Sequence, residues 1–348
     1  MSDPAHIATD KVIEDMEKRL AKEYAKAHKE VTAKMDDYLK RFTVKDKKWQ
    51  EWVKNGTKTA EEYKTWKIGQ VMTGKRWGAL KDTLATDYQN AAKTADKIVN
   101  GYMSEVYAIN HNYATFQIEK MAGVDTSYTL YSKESVERLM KGGKFYKSPG
   151  KAVTQQIKEG TLKAWEREQI QSVMLQGILQ GESIPNLTKR LESVTGGAHS
   201  AAIRNARTMT TGIQNAGRID AYNRANDLGI ETMKTWVATL DRRTRHAHRQ
   251  LDGVTVPVNE PFENEEGEIM YPGDPDAEPG NVYNCRCTLI ASVKGHEADT
   301  INSRNYNKFE DMDYEEWLEG HSESQKITAQ EEMGQAIRQS YIEEYKNG

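Results

Sequence analysis

The chain has 348 residues, 49 Lys and Arg against 52 Asp and Glu, a net charge of −3 and two cysteines. That length suffices for two or three domains. The near-neutral balance excludes a uniformly basic nucleic-acid binder, and one close cysteine pair excludes a disulfide framework.

From the N-terminus, Val12, Met16, Leu20, Tyr24, Val31, Met35 and Leu39 recur at helical spacing, with lysines and glutamates between them. A second stripe runs Trp77, Leu80, Leu84, Tyr88, Ala91, Ala95, Ile98, Tyr102 and Val106. A shorter helix fits Glu61 to Met72, between Gly56 and Gly74. No proline interrupts the chain between Pro4 and Pro149, which favours long helices. The front half is rich in Trp and Tyr. At helical spacing these read as packing surfaces rather than as platforms for nucleotide bases. The segment Met140 to Thr154, with its glycines, proline and lysines, is predicted to be a hinge or exposed loop. A helix, a turn at Gly181, and a helix begun by Ser183 and Pro185 follow, the last ended by Gly196 and Gly197. Another helix closes at Gly229.

The period then changes. IETMKTWVATL (230–240), GVTVPV (253–258) and CRCTLIASV (285–293) read as strands. The Pro-, Gly- and acid-rich stretch between the last two reads as a surface loop or hairpin. The fold class is therefore α+β, mainly α. The expected organisation is a long-helix domain over 1–150, a helical connector over 151–199, a small α+β domain over 200–296 and an acidic, helix-prone tail over 297–348. Charge is uneven along the chain. Residues 1–100 carry 21 bases against 16 acids, 258–280 carry eight acids and no base, and 297–348 carry 13 acids against five bases. Either the two ends meet different partners, or these are solvated helix faces. No run approaches the ~18 apolar residues of a membrane span. The opening MSDPAHIATDKVIEDM has no signal-peptide core. The expectation is a soluble protein made in a reducing cytosol.

The densest polar stretch is DRRTRHAHRQLDG (241–253). Asp241 suits an N-cap, and a helix over Arg242–Leu251 puts Thr244, His248 and Leu251 on one side. His246 lies about 200° away from His248, so one site takes one histidine, and alignment with Leu251 selects His248. On a strand, Cys285, Cys287 and Leu289 share one face, and Arg286 and Thr288 take the other. Burying Leu251 against that face brings His248 near both sulfurs. Two thiols and an imidazole form a zinc-type donor set, with Asp241, Asp252 or His246 as candidates for a fourth ligand. The same residues also read as a reduced thiol pair packed beside a hydrogen-bonded histidine. One intervening residue is a weaker zinc spacing than Cys-x-x-Cys, and no nucleophile motif surrounds either cysteine. Arg242, Arg243, Arg245 and Arg249 suit phosphates or the acidic loop. Internal pairing is expected for Arg243 and Arg245, leaving Arg242 and Arg249 for DNA or a partner.

Taken in order, the chain carries Ala206-Arg207-Thr208 and Lys234-x-Trp236. Then come Asp241-x-Arg243-Thr244-Arg245-x-x-His248-x-x-Leu251-Asp252-Gly253, Pro272-Gly273-Asp274-Pro275 and Asn284-Cys285-Arg286-Cys287. This ordered set resembles the phage Mu F-like family, also called phage head morphogenesis or minor head proteins. The resemblance implies a low-copy virion component, made in the bacterial host cytoplasm and placed in the head interior or portal region. Its implied partners are the portal protein, procapsid or scaffold components and packaged DNA, with no membrane. The family pattern establishes no enzymatic activity and no certain cofactor. Some members carry an added toxin or enzyme domain, for which the residues after CRCTLIASV are expected to be too few. The competing reading is a metal-dependent nuclease or transferase working through His248, Cys285 and Cys287, and a plain DNA-binding module is a third. No His-Glu-x-x-His cluster supports the enzyme, and the basic excess is modest for the DNA binder.

Overall fold

The computed structural model describes residues 3–72, 74–141, 159–180, 182, 184–294 and 314–322. They form two compact units, each assembled from separated stretches. One draws on 1–13, 102–149 and 207–348, the other on 14–101 and 150–206. Most of the hinge predicted over Met140–Thr154, the turn at Gly181, Ser183 and the tail apart from 314–322 lie outside the described residues.

The second unit is helical. Helix α1 (Pro4–Lys54) and helix α3 (Lys75–Ala122) pass through it, flanking helix α2 (Ala60–Met72). Met16, Leu20, Tyr24, Val31, Met35 and Leu39 are buried, as their spacing predicts. Val31, Met35 and Leu39 pack with Trp77, Leu84 and Tyr88 of α3 and with Ile170 and Met174 of helix α5 (Thr161–Leu179). Helix α4 (Lys133–Lys141) belongs to the other unit. A reciprocal cap starts α2. Thr59 Oγ1 accepts from the Glu62 amide at 3.1 Å, and the Glu62 carboxylate accepts from the Thr59 amide at 2.9 Å. The aromatic residues stack on one another across α1 and α2, with Trp49 and Trp66 rings 5.2 Å apart, and so serve helix packing.

Helix α6 (Ile184–Asp227) corrects one expectation, because it runs straight through Gly196 and Gly197. Two glycines cost a helix about 1 kcal/mol each relative to alanine. Leu187 and Val194 on one side and Ala206 and Thr208 on the other are buried, and this packing outweighs the glycine cost.

The first unit holds an antiparallel sheet of order β2-β1-β5, made of β1 (Thr232–Val237), β2 (Thr255–Pro257) and β5 (Thr288–Val293). Trp236 faces Leu289 across β1 and β5, and Thr235 faces Thr255 across β1 and β2. The acidic stretch folds as a hairpin, β3 (Phe262–Asn264) and β4 (Gly267–Ile269), followed by the one-turn helix α8 (Pro279–Val282). Trp236, Leu251, Phe262, Ile269 and Leu289 form a core with Ala221, Tyr222 and Ala225 of α6 and Ala114 and Ile118 of α3. Residues 314–322 form helix α9, whose Tyr314 packs on Ala5, Tyr113 and Phe116.

Two local expectations change. The helix predicted over Arg242–Leu251 shrinks to α7 (His246–Gln250), and residues 241–244 form a turn. Asp241 builds that turn instead of capping a helix, with Oδ1 accepting from the Arg243 amide at 2.8 Å. Cys285 and Cys287 precede β5 rather than lying on it.

Candidate metal centre

The site is a strap, residues 283–287, laid across α6 and the turn before α7. Its carbonyls find partners from outside the strap. Arg245 donates to Tyr283 O, Thr211 to Cys285 O at 2.8 Å, Thr239 to Arg286 O at 2.6 Å and Asn215 to Cys287 O at 3.3 Å. Thr208 Oγ1 accepts from the Asn284 amide at 3.1 Å. Asn284 itself has φ of 59°, a left-handed conformation that asparagine tolerates better than most residues. The backbone is therefore held before either sulfur does anything.

Both sulfurs then meet one nitrogen. His248 Nδ1 is 3.5 Å from Cys285 Sγ and 3.6 Å from Cys287 Sγ. The three side chains are 2–3% exposed, and the cysteines are free thiols. The His248 ring is held edge-on to Trp236, with centroids 5.3 Å apart, and Trp236 packs in turn on Phe262. The Cys287 amide donates to Cys285 Sγ at 3.4 Å. Burial pushes the Cys285 thiol well above its ordinary value, whereas hydrogen bonding from Cys285 and His248 draws Cys287 down.

The residues considered for a fourth ligand are engaged elsewhere. Asp241 takes both guanidinium nitrogens of Arg286 at 2.7 Å, which holds its carboxyl well below the usual range. Asp252 accepts from the Ala238 amide at 2.9 Å. His246 is exposed and faces Glu265 at 3.4 Å. Among the described residues, no fourth His, Cys, Asp or Glu joins the cluster.

The remaining sequence motifs hold the fold. Lys234 is buried and donates to Met270 O at 2.8 Å, and burial lowers its pKa to about 8. Asp274 accepts from the Met270 and Asp276 amides at 3.1 and 3.0 Å, shaping the loop through Pro272 and Pro275. Gly273 presses on α6, where a Cβ would stand 2.7 Å from the Gly212 nitrogen. Gly253 donates to Trp236 O at 2.8 Å from a positive φ. Thr244 bonds Thr239 O and Asp241. Arg207 is exposed on α6.

Two arginines depart from expectation. Arg245 spends its guanidinium on Tyr283 O, and no ion pair among the described residues joins Arg243 or Arg245 to the acidic loop. Arg286 forms the internal pair instead. Its bidentate geometry with Asp241 fixes the turn to the strap. Thr211, Asn215 and Thr239 were not singled out by the sequence. Their signal lay in TGIQNAG and WVATL, where polar residues interrupt apolar faces.

Residues 168–290 match the family described as Phage Mu protein F like protein. It is this segment, called Mu F-like below, that is similar to the family. Beyond it, the chain is 26% identical to Minor head protein GP7 of Bacillus phage SPP1 over 299 residues, covering 82% of this chain and 85% of that protein. It is 24% identical to the NAD(+)--arginine ADP-ribosyltransferase EFV of Enterococcus faecalis over 247 residues, 69% of this chain but 48% of that protein. An uncharacterized protein of Haemophilus influenzae matches at 26% over 62% of this chain and 44% of its own length. No solved structure gives a significant match. The Mu F-like segment contains the strap, α7 and the acidic hairpin, so the site described above lies within it.

Proposed function

We propose that this chain is a minor head protein that acts in phage head morphogenesis as a structural component of the virion. The observation that carries this reading is the extent of the likeness to the SPP1 minor head protein, which covers 85% of that protein and reaches well beyond the Mu F-like segment. The geometry agrees. The buried motif side chains hold backbone or fill core, and Asp241 and Arg286 form an ion pair. His248, Cys285 and Cys287 are too deeply buried for a nucleic-acid substrate to reach, which weighs against the nuclease or transferase reading. The ADP-ribosyltransferase relative is matched over less than half its length, so its named activity is not carried to this chain.

At finer scale, the chain docks at the portal or inner capsid and meets packaged DNA. Arg242 and Arg243 suit that contact, because both are exposed on the turn at 241–244, and Arg249, exposed on α7, also bonds Asp241 O at 2.7 Å. Particles purified from infected or induced cells should contain the protein by mass spectrometry, and portal protein should co-purify with it. Particles wholly lacking it overturn the structural reading. Reversing Arg242 and Arg243 to Glu should weaken a DNA contact and flatten its salt dependence. An unchanged salt slope, with the portal still bound, assigns these arginines elsewhere.

A further inference from the structure

We propose that His248, Cys285 and Cys287 bind one thiophilic metal ion, zinc(II) foremost, and that the ion staples α7 to the strap. The proposal does not depend on the minor-head reading. Its first support is distance. Zinc–sulfur bonds of about 2.3 Å and a zinc–nitrogen bond of about 2.05 Å at a tetrahedral angle put nitrogen and sulfur about 3.6 Å apart. The two separations found are 3.5 and 3.6 Å. The second support is stoichiometry. Nδ1 has a single proton or a single lone pair, so it makes one good hydrogen bond, yet two sulfurs stand equally close to it. A metal ion satisfies all three atoms at once.

The third support is preparation. The strap carbonyls are bonded before any ion arrives, and Asp241 holds Arg286, the residue between the two cysteines, by a bidentate pair. Ligands held by their surroundings in this way lose little freedom on binding. Both cysteines ligate the ion as thiolates, and the protons that the cluster carries before binding are released to solvent. The three protein ligands leave a fourth position, which a water molecule can take.

The test uses the untagged full-length chain. As purified from zinc-supplemented cells it should carry one zinc per chain by elemental analysis. Cobalt(II) in its place should give a sulfur-to-cobalt charge-transfer band and the visible bands of tetrahedral cobalt. Cys285→Ser and Cys287→Ser should each abolish both signals, and His248→Ala should weaken zinc binding by at least about tenfold. Because these variants can fail to fold, the wild-type chain is also stripped with a chelator. Its melting temperature should fall and return on adding zinc. Stoichiometric copper(I) binding without zinc binding sustains the site and reassigns the ion. A wild-type chain that binds neither ion, or zinc retained by the Cys285→Ser, Cys287→Ser double variant, overturns the proposal.

Discussion

At the residue scale, Asn215 joins four parts of the Mu F-like segment. Its Nδ2 donates to Thr211 O, Pro272 O and Cys287 O at 2.8, 3.2 and 3.3 Å, and its Oδ1 accepts from the Leu289 amide at 3.0 Å. One fully buried amide thus braces α6, the acidic loop, the strap and β5. Asn215→Ala strands several of those groups without water, at about 1–3 kcal/mol for each left unsatisfied. A loss of roughly 2–4 kcal/mol is expected in urea unfolding, and a change within 0.5 kcal/mol, roughly the scatter of surface substitutions, would contradict the bracing role. Glu166 of α5 behaves differently. It is buried, its Oε2 has no hydrogen-bond partner among the described residues, and burial raises its carboxyl to about 8. Tyr24 of α1 is pushed up to about 12 by its own burial and by the nearby Glu166 charge. A carboxyl whose pKa is raised in the fold holds its proton more tightly folded than unfolded. Its contribution is complete below the ordinary carboxyl value and is lost as pH climbs towards 8, by on the order of 1 kcal/mol per pH unit. Glu166→Gln should flatten that decline. Melts at pH 5 and pH 8 that stay parallel for wild type and variant would count against it.

At the element scale, the long helices were legible because a stripe of apolar residues three and four apart has only one periodicity that buries it. Leu84 is fully buried beside Val31, Trp77 and Ile170, on the predicted stripe. Leu84→Asp places an unpaired carboxylate there and should cost roughly 4 kcal/mol or more. An unaltered thermal melt would show that the stripe faces solvent. Helix ends were less legible. Gly196 and Gly197 look like a terminator locally, yet α6 continues, because the decision belongs to the packing of its flanks. The helix predicted after Asp241 failed for a related reason. The Asp241 carboxylate is drawn to Arg286, 45 residues away, and with the Arg243 amide it forms a turn. Local propensity is worth tenths of a kcal/mol per residue, and a long-range partner outweighs it.

At the scale of the whole molecule, the chain's beginning is tied to the Mu F-like core. Arg218 of α6 is fully buried and holds Asp3 through bonds of 2.8 and 3.1 Å, while also donating to Asn110 Oδ1 and Leu289 O. Removing one partner of a buried pair leaves the other charge uncompensated. Asp3→Ala should therefore destabilise this unit by roughly 3–5 kcal/mol in denaturant unfolding. Removing Asp3 at less than about 1 kcal/mol would show the pair to be dispensable. Nothing in MSDPAHIATD announces this role, because the partner is 215 residues away.

The sequence by itself determined the helical front half, the small sheet, the proximity argument for His248 and the cysteines, and the family likeness. Each rests on periodicity or on a residue order that is visible along the chain. Only the tertiary structure decided that both units are built from separated stretches, that Arg286 rather than Arg243 pairs internally, and that Asn215 and Arg218 anchor the core. The cysteines reached His248 although they precede the strand on which their geometry was argued, because side chains of α6 and the 239–245 turn hold the strap in place. Those contacts depend on where distant segments pack, and a buried polar group gains its partner only once that packing has removed water.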